Sequence, residues 1–320
     1  MPAPLRIASL LPSATEMVCA LGAGDQLVGV SHECDFPRQA VGRPVLTSSK
    51  VRLSPRSGQV DRDIRALLKD ALAVYDIDEA KLAESRPDVI VTQDLCDVCA
   101  VSLDDVVAAA RKLCSPEVQI VNLRPLRLAD IWADIRKLGA ALGRQAQAEA
   151  LLAQMDARVA EVQRRADEHL ARGGTRRRVL TIEWLDPPMV GGTWMPELAE
   201  LAGGTALVTR PGDRAPTLSP ADLALLDPAP DVVVVKPCGF DLARTIQEAD
   251  TLASLLAPMR WPAVQRGEVW IADGNAFFNR PGPRIVDSLE ILAACLHPDV
   301  FGDFAQRHAG AFRRFGVRRG

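Results

Sequence analysis

Aromatic side chains are scarce in this 320-residue chain: they make up 4% of it, and Tyr75 is the single tyrosine. A tryptophan or phenylalanine in a loop therefore stands out. No run of about 18 apolar residues occurs, which excludes a conventional membrane-spanning helix. Neither sign of charge is in excess. Lys and Arg number 38 against 41 Asp and Glu, a formal net charge of −3, so neither nucleic acid nor insertion at an anionic membrane is expected. There is no nucleophile elbow, P-loop or glycine-rich dinucleotide fingerprint, and the first expectation is a protein that binds rather than catalyses. The opening, MPAPLRIASLLPSATEMV, lacks a basic n-region, a long apolar h-region and a small-residue cleavage site. As written it reads as cytoplasmic, and as periplasmic if the start is misassigned.

What the chain does contain is apolar sequence in regular patterns. At 48% hydrophobic and 25% charged it can build ordinary cores, and its length suggests two domains. The organising stretch is the helical run from Leu126 to Arg172. Leu128, Ile131, Trp132, Ile135, Leu138 and Leu142, then Leu151, Leu152, Met155, Val159 and Val162, recur at gaps of mostly three or four residues, without an intervening proline. As one helix it spans about 60–70 Å, a strut between two lobes; the alternative is two packed helices broken near Gly143. Around it the spacing predicts an N-terminal α/β lobe at 1–125, the inter-lobe helix at 126–172, a C-terminal α/β lobe at 173–311 and a basic, frayed tail at 312–320. In each lobe, apolar strands alternate with helices, the grammar of a parallel sheet. PDVIVTQDLC in the first lobe is echoed by PDVVVVKPC in the second. Ser13 and Glu16 have capping-box spacing for the first helix, and Thr245–Leu256 reads as a single helix.

Open parallel sheets bind ligands beyond the carboxyl ends of their strands, so the loops there hold the candidate residues. They are His32, Asp35 and Phe36 after one strand, Gln93 after another, then Trp184 and Trp194, Phe240, and Asn275, Phe277 and Arg280. Facing across the strut, these loops converge on one cleft. Four of the seven cysteines, Cys34, Cys96, Cys99 and Cys238, fall in the same loops. They are open to three readings: small thiols without a task, a zinc or iron–sulfur site, or a redox dithiol at Cys96–Cys99. Cys19 and Cys295 sit in apolar helices and read as core.

RIASLLPSATEMVCALGAGDQLVGVSHECDFP resembles the opening of the class III periplasmic substrate-binding proteins, the iron–siderophore, haem and vitamin B12 receptors of ABC importers, and within them the cobalamin-binding branch. The resemblance runs on to LEILAACLHPDVF, nearly the whole chain. QDLCDVCAVS, IEWLDPP, PCGFDL and DGNAFFNRPGPR look like a subgroup without an export signal, and their cysteines are not features of ordinary B12 receptors. The resemblance implies two α/β lobes joined by one rigid helix and a ligand held between them with little closure. It implies a small-molecule metal chelate, cobalamin or another corrinoid, as ligand and an ABC transporter as partner, docked through one acidic surface residue per lobe, for which Glu79 and Asp222 are the nearest candidates. In that reading Trp184 and Trp194 pack on the ring, His32 and Asn275 hydrogen-bond, and Arg280 pairs with a carboxylate or phosphate. The alternative is a cytoplasmic metalloprotein that holds zinc or an iron–sulfur cluster through Cys34, Cys96, Cys99 and Cys238, with redox or enzymatic activity.

Overall fold

The structure, a computed structural model, describes residues 4–50, 56–67, 75–93, 103–114 and 117–316. The chain divides into two compact units. The first comprises Met1–Leu53, Arg62–Pro125 and Ala129–Gln154, the second Ser54–Asp61, Leu126–Leu128 and Met155–Gly320.

In the first unit, β1 (Ile7–Ser9), α1 (Pro12–Ala20), β2 (Leu27–Val30), β3 (Thr47–Ser49), α2 (Ser57–Leu67), β4 (Tyr75–Ile77), α3 (Glu79–Ser85), β5 (Val89–Gln93), α4 (Leu103–Leu113) and β6 (Gln119–Leu123) follow in order; the first turn of α2 belongs to the second unit. The main sheet has the order β2-β1-β5-β6, all parallel, with β3 and β4 paired antiparallel beside it. All five residues of β5 are buried, which is why its sequence is an apolar run rather than an alternation. Ala8, Leu10, Leu46, Leu82, Ile90 and Val106 form the core behind it. The expected capping box at α1 does not form. Leu11 is the N-cap, without a side-chain bond, and Ser13 and Glu16 are buried. Pro12 starts the helix instead, since it presets φ and has no N–H to satisfy.

The run from Leu126 to Arg172 is not one rod but two helices, α5 (Leu128–Ala141) and α6 (Gln145–Ala171). Gly143 ends the first with a left-handed φ of +64°, a conformation glycine adopts without steric cost. A Cβ on Gly139 would lie 2.6 Å from that of Ala148, so the two backbones approach closely where the chain reverses.

The second unit holds β7 (Arg177–Leu185), β8 (Pro188–Val190), α7 (Met195–Leu201), β9 (Gly204–Ala206), α8 (Pro220–Ala224), β10 (Val232–Val235), α9 (Leu242–Gln247), α10 (Ala249–Leu256), α11 (Pro262–Gln265), β11 (Val269–Ala272), α12 (Ile285–Leu296), α13 (Gly302–Arg307) and β12 (Phe312–Arg314). Its sheet runs β12-β11-β10-β7-β8, with β9 also on β7. The β11, β10, β7 and β9 pairings are parallel, while β12 and β8 pair antiparallel at the edges. The stretch expected to fray is thus partly a strand: Phe312–Arg314 closes the sheet edge on β11, and Arg314 lies over the Trp270 ring at 4.8 Å. Glu183 and Trp184 belong to β7 itself rather than to the loop after it. The single helix expected at Thr245–Leu256 is two, α9 and α10, with buried Glu248 at the junction at φ −88° and ψ 12°. Its carboxylate accepts the Ser57 backbone N–H at 2.9 Å and the Ser57 hydroxyl at 2.7 Å. Leu180, Ile182, Val233, Val235, Leu256, Trp261 and Ile271 form the core, and every residue of α12 except Asp287 is buried. Both ProAsp-initiated strands of the echoed sequence, β5 and β10, are interior strands of their sheets. Among the described residues, no helix is long and apolar enough to cross a membrane.

Candidate functional site

In the second unit the carboxyl ends of β7, β10 and β11 lie side by side and carry most of the candidate residues. Trp184, half-buried at the end of β7, donates its indole N–H to the Asp186 carbonyl at 3.1 Å. Its ring meets Phe240 edge-on at 5.2 Å, and the Arg244 guanidinium covers Phe240 at 3.7 Å. Phe240 is only 2% exposed, so it backs Trp184 rather than presenting a face of its own. Trp194 is also inside the unit, 5% exposed, with its indole N–H on the Phe278 carbonyl at 2.8 Å. A ring so placed secures the loop after β11 and offers almost no surface for stacking. Phe277 is half-buried, with Arg284 over its ring at 5.5 Å.

That loop, 273–280, is fixed from several directions. Gly274 and Asn275 both donate their backbone N–H to the Phe240 carbonyl, at 2.9 and 3.0 Å. A Cβ at Gly274 would lie 2.1 Å from the Pro237 carbonyl oxygen, so only glycine permits the crossing. Phe278 and Thr193 hold left-handed φ values of 65° and 53°; for a bulky residue such as Phe this is an outlier. Phe278 keeps it because its N–H bonds the Ser288 hydroxyl of α12 at 2.8 Å and its carbonyl receives Trp194. Arg280, buried, donates to Asn275 Oδ1 at 3.0 Å. The Asp273 carboxyl sits above its ordinary pKa because it is buried, against the opposing pull of the Ala276 and Asn275 amides.

Lys236 was not singled out by its sequence, yet it is the hub of this face. It directly follows the four valines of β10 and is 1% exposed. Its ammonium donates to Glu183 Oε2 and to Asn279 Oδ1, each at 2.8 Å. Asn279 returns its amide to the Lys236 carbonyl at 3.1 Å and the Gly274 carbonyl at 2.8 Å. One buried cation therefore ties together the ends of β7 and β10 and the loop after β11. The Cys238 backbone N–H joins the same set through the Glu183 carbonyl at 3.0 Å.

In the first unit the loop after β2 is polar and organised. Buried Thr15 donates to Ser9 at 2.7 Å and lies 3.1 Å from Cys34 Sγ. His32 is exposed, with Nδ1 2.7 Å from the Thr47 hydroxyl, and meets the Tyr75 ring edge-on at 4.8 Å. The Tyr75 hydroxyl is held by Glu33 at 2.6 Å. Asp35 and Phe36 are exposed, and Gln93 is buried at the end of β5. The threonine and tyrosine partners of His32, Thr47 and Tyr75, were not anticipated; they come from β3 and β4, too short to leave a sequence pattern.

Cys96 and Cys99 lie outside the described residues. Cys34 and Cys238 belong to different units. Cys295 is buried, as a core residue is, whereas Cys19 is half-buried with its thiol pushed up to about 11 by burial; burial raises the Cys295 thiol well above its ordinary value too. Among the described residues, one set of carboxylates and imidazole lies close enough to share a metal: Asp287, Glu290 and His308. Arg158 and Arg307 already occupy Glu290 at 2.9 and 3.0 Å, which makes the cluster an ion-pair network. The two candidates for transporter docking are also engaged: Glu79 pairs with Lys112 at 2.9 Å, and Asp222 forms the reciprocal capping box with Ser219 at the start of α8.

Two units, each built on a mainly parallel sheet whose strand carboxyl ends carry polar and aromatic loops, define a two-unit α/β fold. The chain belongs to the periplasmic binding protein family, whose model matches residues 7–276. Among its relatives, the uncharacterized ABC transporter substrate-binding lipoprotein YvrC of Bacillus subtilis (strain 168) is 20% identical over 302 residues, 93% of this chain and 82% of the relative. A periplasmic heme binding protein from Pseudomonas aeruginosa shares the fold at a TM-score of 0.67 and 20% identity, covering 93% of this chain and 94% of that one. The periplasmic vitamin B12 binding protein BtuF of Vibrio cholerae does so at 0.64 and 21%, covering 92% and 96%. These relatives are periplasmic or lipoprotein by name, so the cytoplasmic expectation gains no support from them.

Proposed function

We propose that this chain is the substrate-binding component of an ABC importer, working outside the cytoplasm, and that its ligand is a metal chelate with a large flat ring, a corrinoid by preference. Family membership supports the receptor reading. The observation that carries the ligand class is the Trp184 ring, backed edge-on by Phe240 at 5.2 Å beside the Lys236-fixed loop. A supported indole at a strand end is a platform for an apolar ring, and Asn275, on the loop after β11, suits the amides at a corrin rim. A flat metal chelate meets that chemistry. In this reading Trp194 supports the loop and does not touch ligand.

The test is equilibrium titration of the full chain with cyanocobalamin, haem and a ferric siderophore, read by tryptophan fluorescence and by retention on desalting. Cyanocobalamin is expected to be retained, and Trp184→Ala is expected to weaken it by about tenfold or more, as for a buried aromatic anchor. If none of the three is retained, the ligand class is wrong. If haem alone is retained, the corrinoid preference is wrong; if the siderophore alone is retained, the flat-ring class is wrong as well; in both cases the receptor reading stands.

A further inference from the structure

We propose that Glu183 selects the rim chemistry of the ligand: its second carboxylate oxygen accepts a hydrogen bond from a neutral amide N–H and turns away a carboxylate in the same place. The proposal rests on the reading of the chain as a receptor for a flat ring chelate and deepens it. One residue of the second unit separates an amide-rimmed corrinoid from an acid-rimmed macrocycle.

The glutamate is oriented by a partner that can only donate. The Lys236 ammonium gives one hydrogen bond to Glu183 Oε2 and one to Asn279 Oδ1, each at 2.8 Å. The main chain fixes both residues: the Lys236 N–H donates to the Ile182 carbonyl at 2.8 Å, and the Cys238 N–H to the Glu183 carbonyl at 3.0 Å. Lys236 is 1% exposed, whereas the Glu183 side chain is 20% exposed, so the part of the pair that reaches the surface is the carboxylate. Among the described residues, Glu183 Oε1 has no hydrogen-bond partner. A carboxylate offers lone pairs and no proton, and this one is held in place before ligand arrives, so its hydrogen bond forms without an ordering cost. The next residue is Trp184, the indole backed by Phe240. The β7–β8 register shifts between Ile182 and Trp184, a bulge of the kind that re-aims side chains at a strand end. A macrocycle seated on Trp184 is wider than the spacing of neighbouring residues along a strand, about 3.3 Å, and carries its rim groups past Glu183. An amide N–H there completes Oε1. An acid there sets acceptor against acceptor and like charge against like. The same face resists negative charge at Asp273, whose carboxyl is held above its ordinary value by burial and further by the Asp241 carboxylate, against the Ala276 and Asn275 amides.

The experiment is a titration of the full chain with dicyanocobinamide, whose rim carries amides, and with dicyanocobyrinic acid, the same corrin ring with carboxylates in those places, read by tryptophan fluorescence and by retention on desalting. The native protein is expected to retain dicyanocobinamide and to bind the acid about a hundredfold more weakly, as like charges in contact require. In Glu183→Gln the glutamine must turn its oxygen to Lys236, which leaves its amide N–H outward. Dicyanocobinamide is then expected to weaken about tenfold or more, as for loss of a hydrogen bond to a charged group, while the acid binds more tightly. The double variant Lys236→Met with Glu183→Gln leaves the net charge of the chain unchanged and strands no buried lysine, so it controls for folding, checked by circular dichroism, and for long-range electrostatics. It is expected to lose about tenfold or more of the native preference. A native preference below about tenfold, or one that the double variant keeps undiminished, overturns selection by Glu183 and leaves the receptor reading intact. Retention of neither probe overturns the corrinoid reading and this proposal together.

Discussion

Replacing Lys236 by methionine tests whether one buried cation organises the strand-end face of the second unit. Methionine nearly matches the length of the lysine stem, so the packing around β10 is kept and the ammonium alone is removed. The loss strands the Glu183 carboxylate and Asn279 Oδ1, both 2.8 Å from Nζ in the native protein. Removing one partner of a buried ion pair costs about 3–5 kcal/mol, because the other charge stays behind uncompensated. The Glu183 side chain is 20% exposed, so water reaches it in part and the lower end, about 3 kcal/mol, is expected. For a unit of this size that is about 6–12 °C in Tm, measured by differential scanning calorimetry. The double variant Lys236→Met with Glu183→Gln removes the stranded charge and is expected to recover at least half of the loss. Amide hydrogen exchange supplies the functional readout: residues 273–280 lose the Asn279 anchor and are expected to exchange faster, while β5 of the first unit does not change. A loss below about 1 kcal/mol, or a double variant less stable than the single one, would refute the hub assignment.

Two further predictions concern pH, with opposite signs. Burial raises the Asp134 carboxyl from its ordinary 3.8 to about 6, with Lys137 only partly opposing; the native state then binds the extra proton, stability falls as pH rises from about 4 to 6, and the ionised group costs about 3 kcal/mol at neutral pH. Asp134→Asn is expected to remove that slope in denaturant titrations and to gain stability at pH 7; a difference from wild type that does not vary with pH would contradict the burial argument. Burial lowers His297 from 6.5 to about 4, despite its bond to the Gly203 carbonyl, with the His169 ring 4.9 Å away. Here the unfolded chain takes up the proton, so about 3 kcal/mol is lost as pH falls from about 6.5 to 4. His297→Gln, which retains a donor for Gly203, is expected to flatten the acid limb, and an unchanged limb would assign acid sensitivity elsewhere.

The parallel α/β character was legible because buried interior strands and an all-round buried helix leave simple patterns. Val232–Val235 and the 89–91 stretch are apolar without alternation, and Ile285–Leu296 is a helix buried on nearly every side. The edges were not legible: β8, β9 and β12 have three residues each, too few to show a period. The helix break at Gly143 was one of two readings, because a glycine in a helical run bends or ends it according to the φ that tertiary packing demands. At the site, the rule that ligands gather at strand carboxyl ends reached Trp184, Phe240, Asn275 and Arg280. It did not separate a platform such as Trp184 from a prop such as Trp194, since that depends on which ring finds a buried acceptor. Lys236 escaped for a related reason. A lysine after four valines reads as the end of burial, and what keeps it inside is Glu183, 53 positions earlier, and Asn279, 43 later.

The two units build their strand-end faces differently. In the first, the ordering is by hydrogen bonds among side chains: Ser31, Thr47 and His32, with Glu33 on Tyr75. In the second, backbone constraints add to the Lys236–Glu183–Asn279 side-chain network. Gly274 crosses the Lys236–Pro237 peptide where no Cβ fits, and Thr193 and Phe278 hold left-handed conformations that cost of order 1–3 kcal/mol each. Such residues persist only where the surroundings over-determine them, and here they do. The Thr193 N–H is fixed by the Asp213 carbonyl, the Phe278 N–H by Ser288 of the fully buried stretch of α12, and the Phe278 carbonyl by Trp194. A loop held in this way is ordered before ligand arrives, so binding bears no cost for ordering it. That suits a receptor for a rigid macrocycle, whose own shape cannot adapt, better than one for a flexible chain. Trp194, Phe240 and Phe278 are buried rings that maintain this geometry.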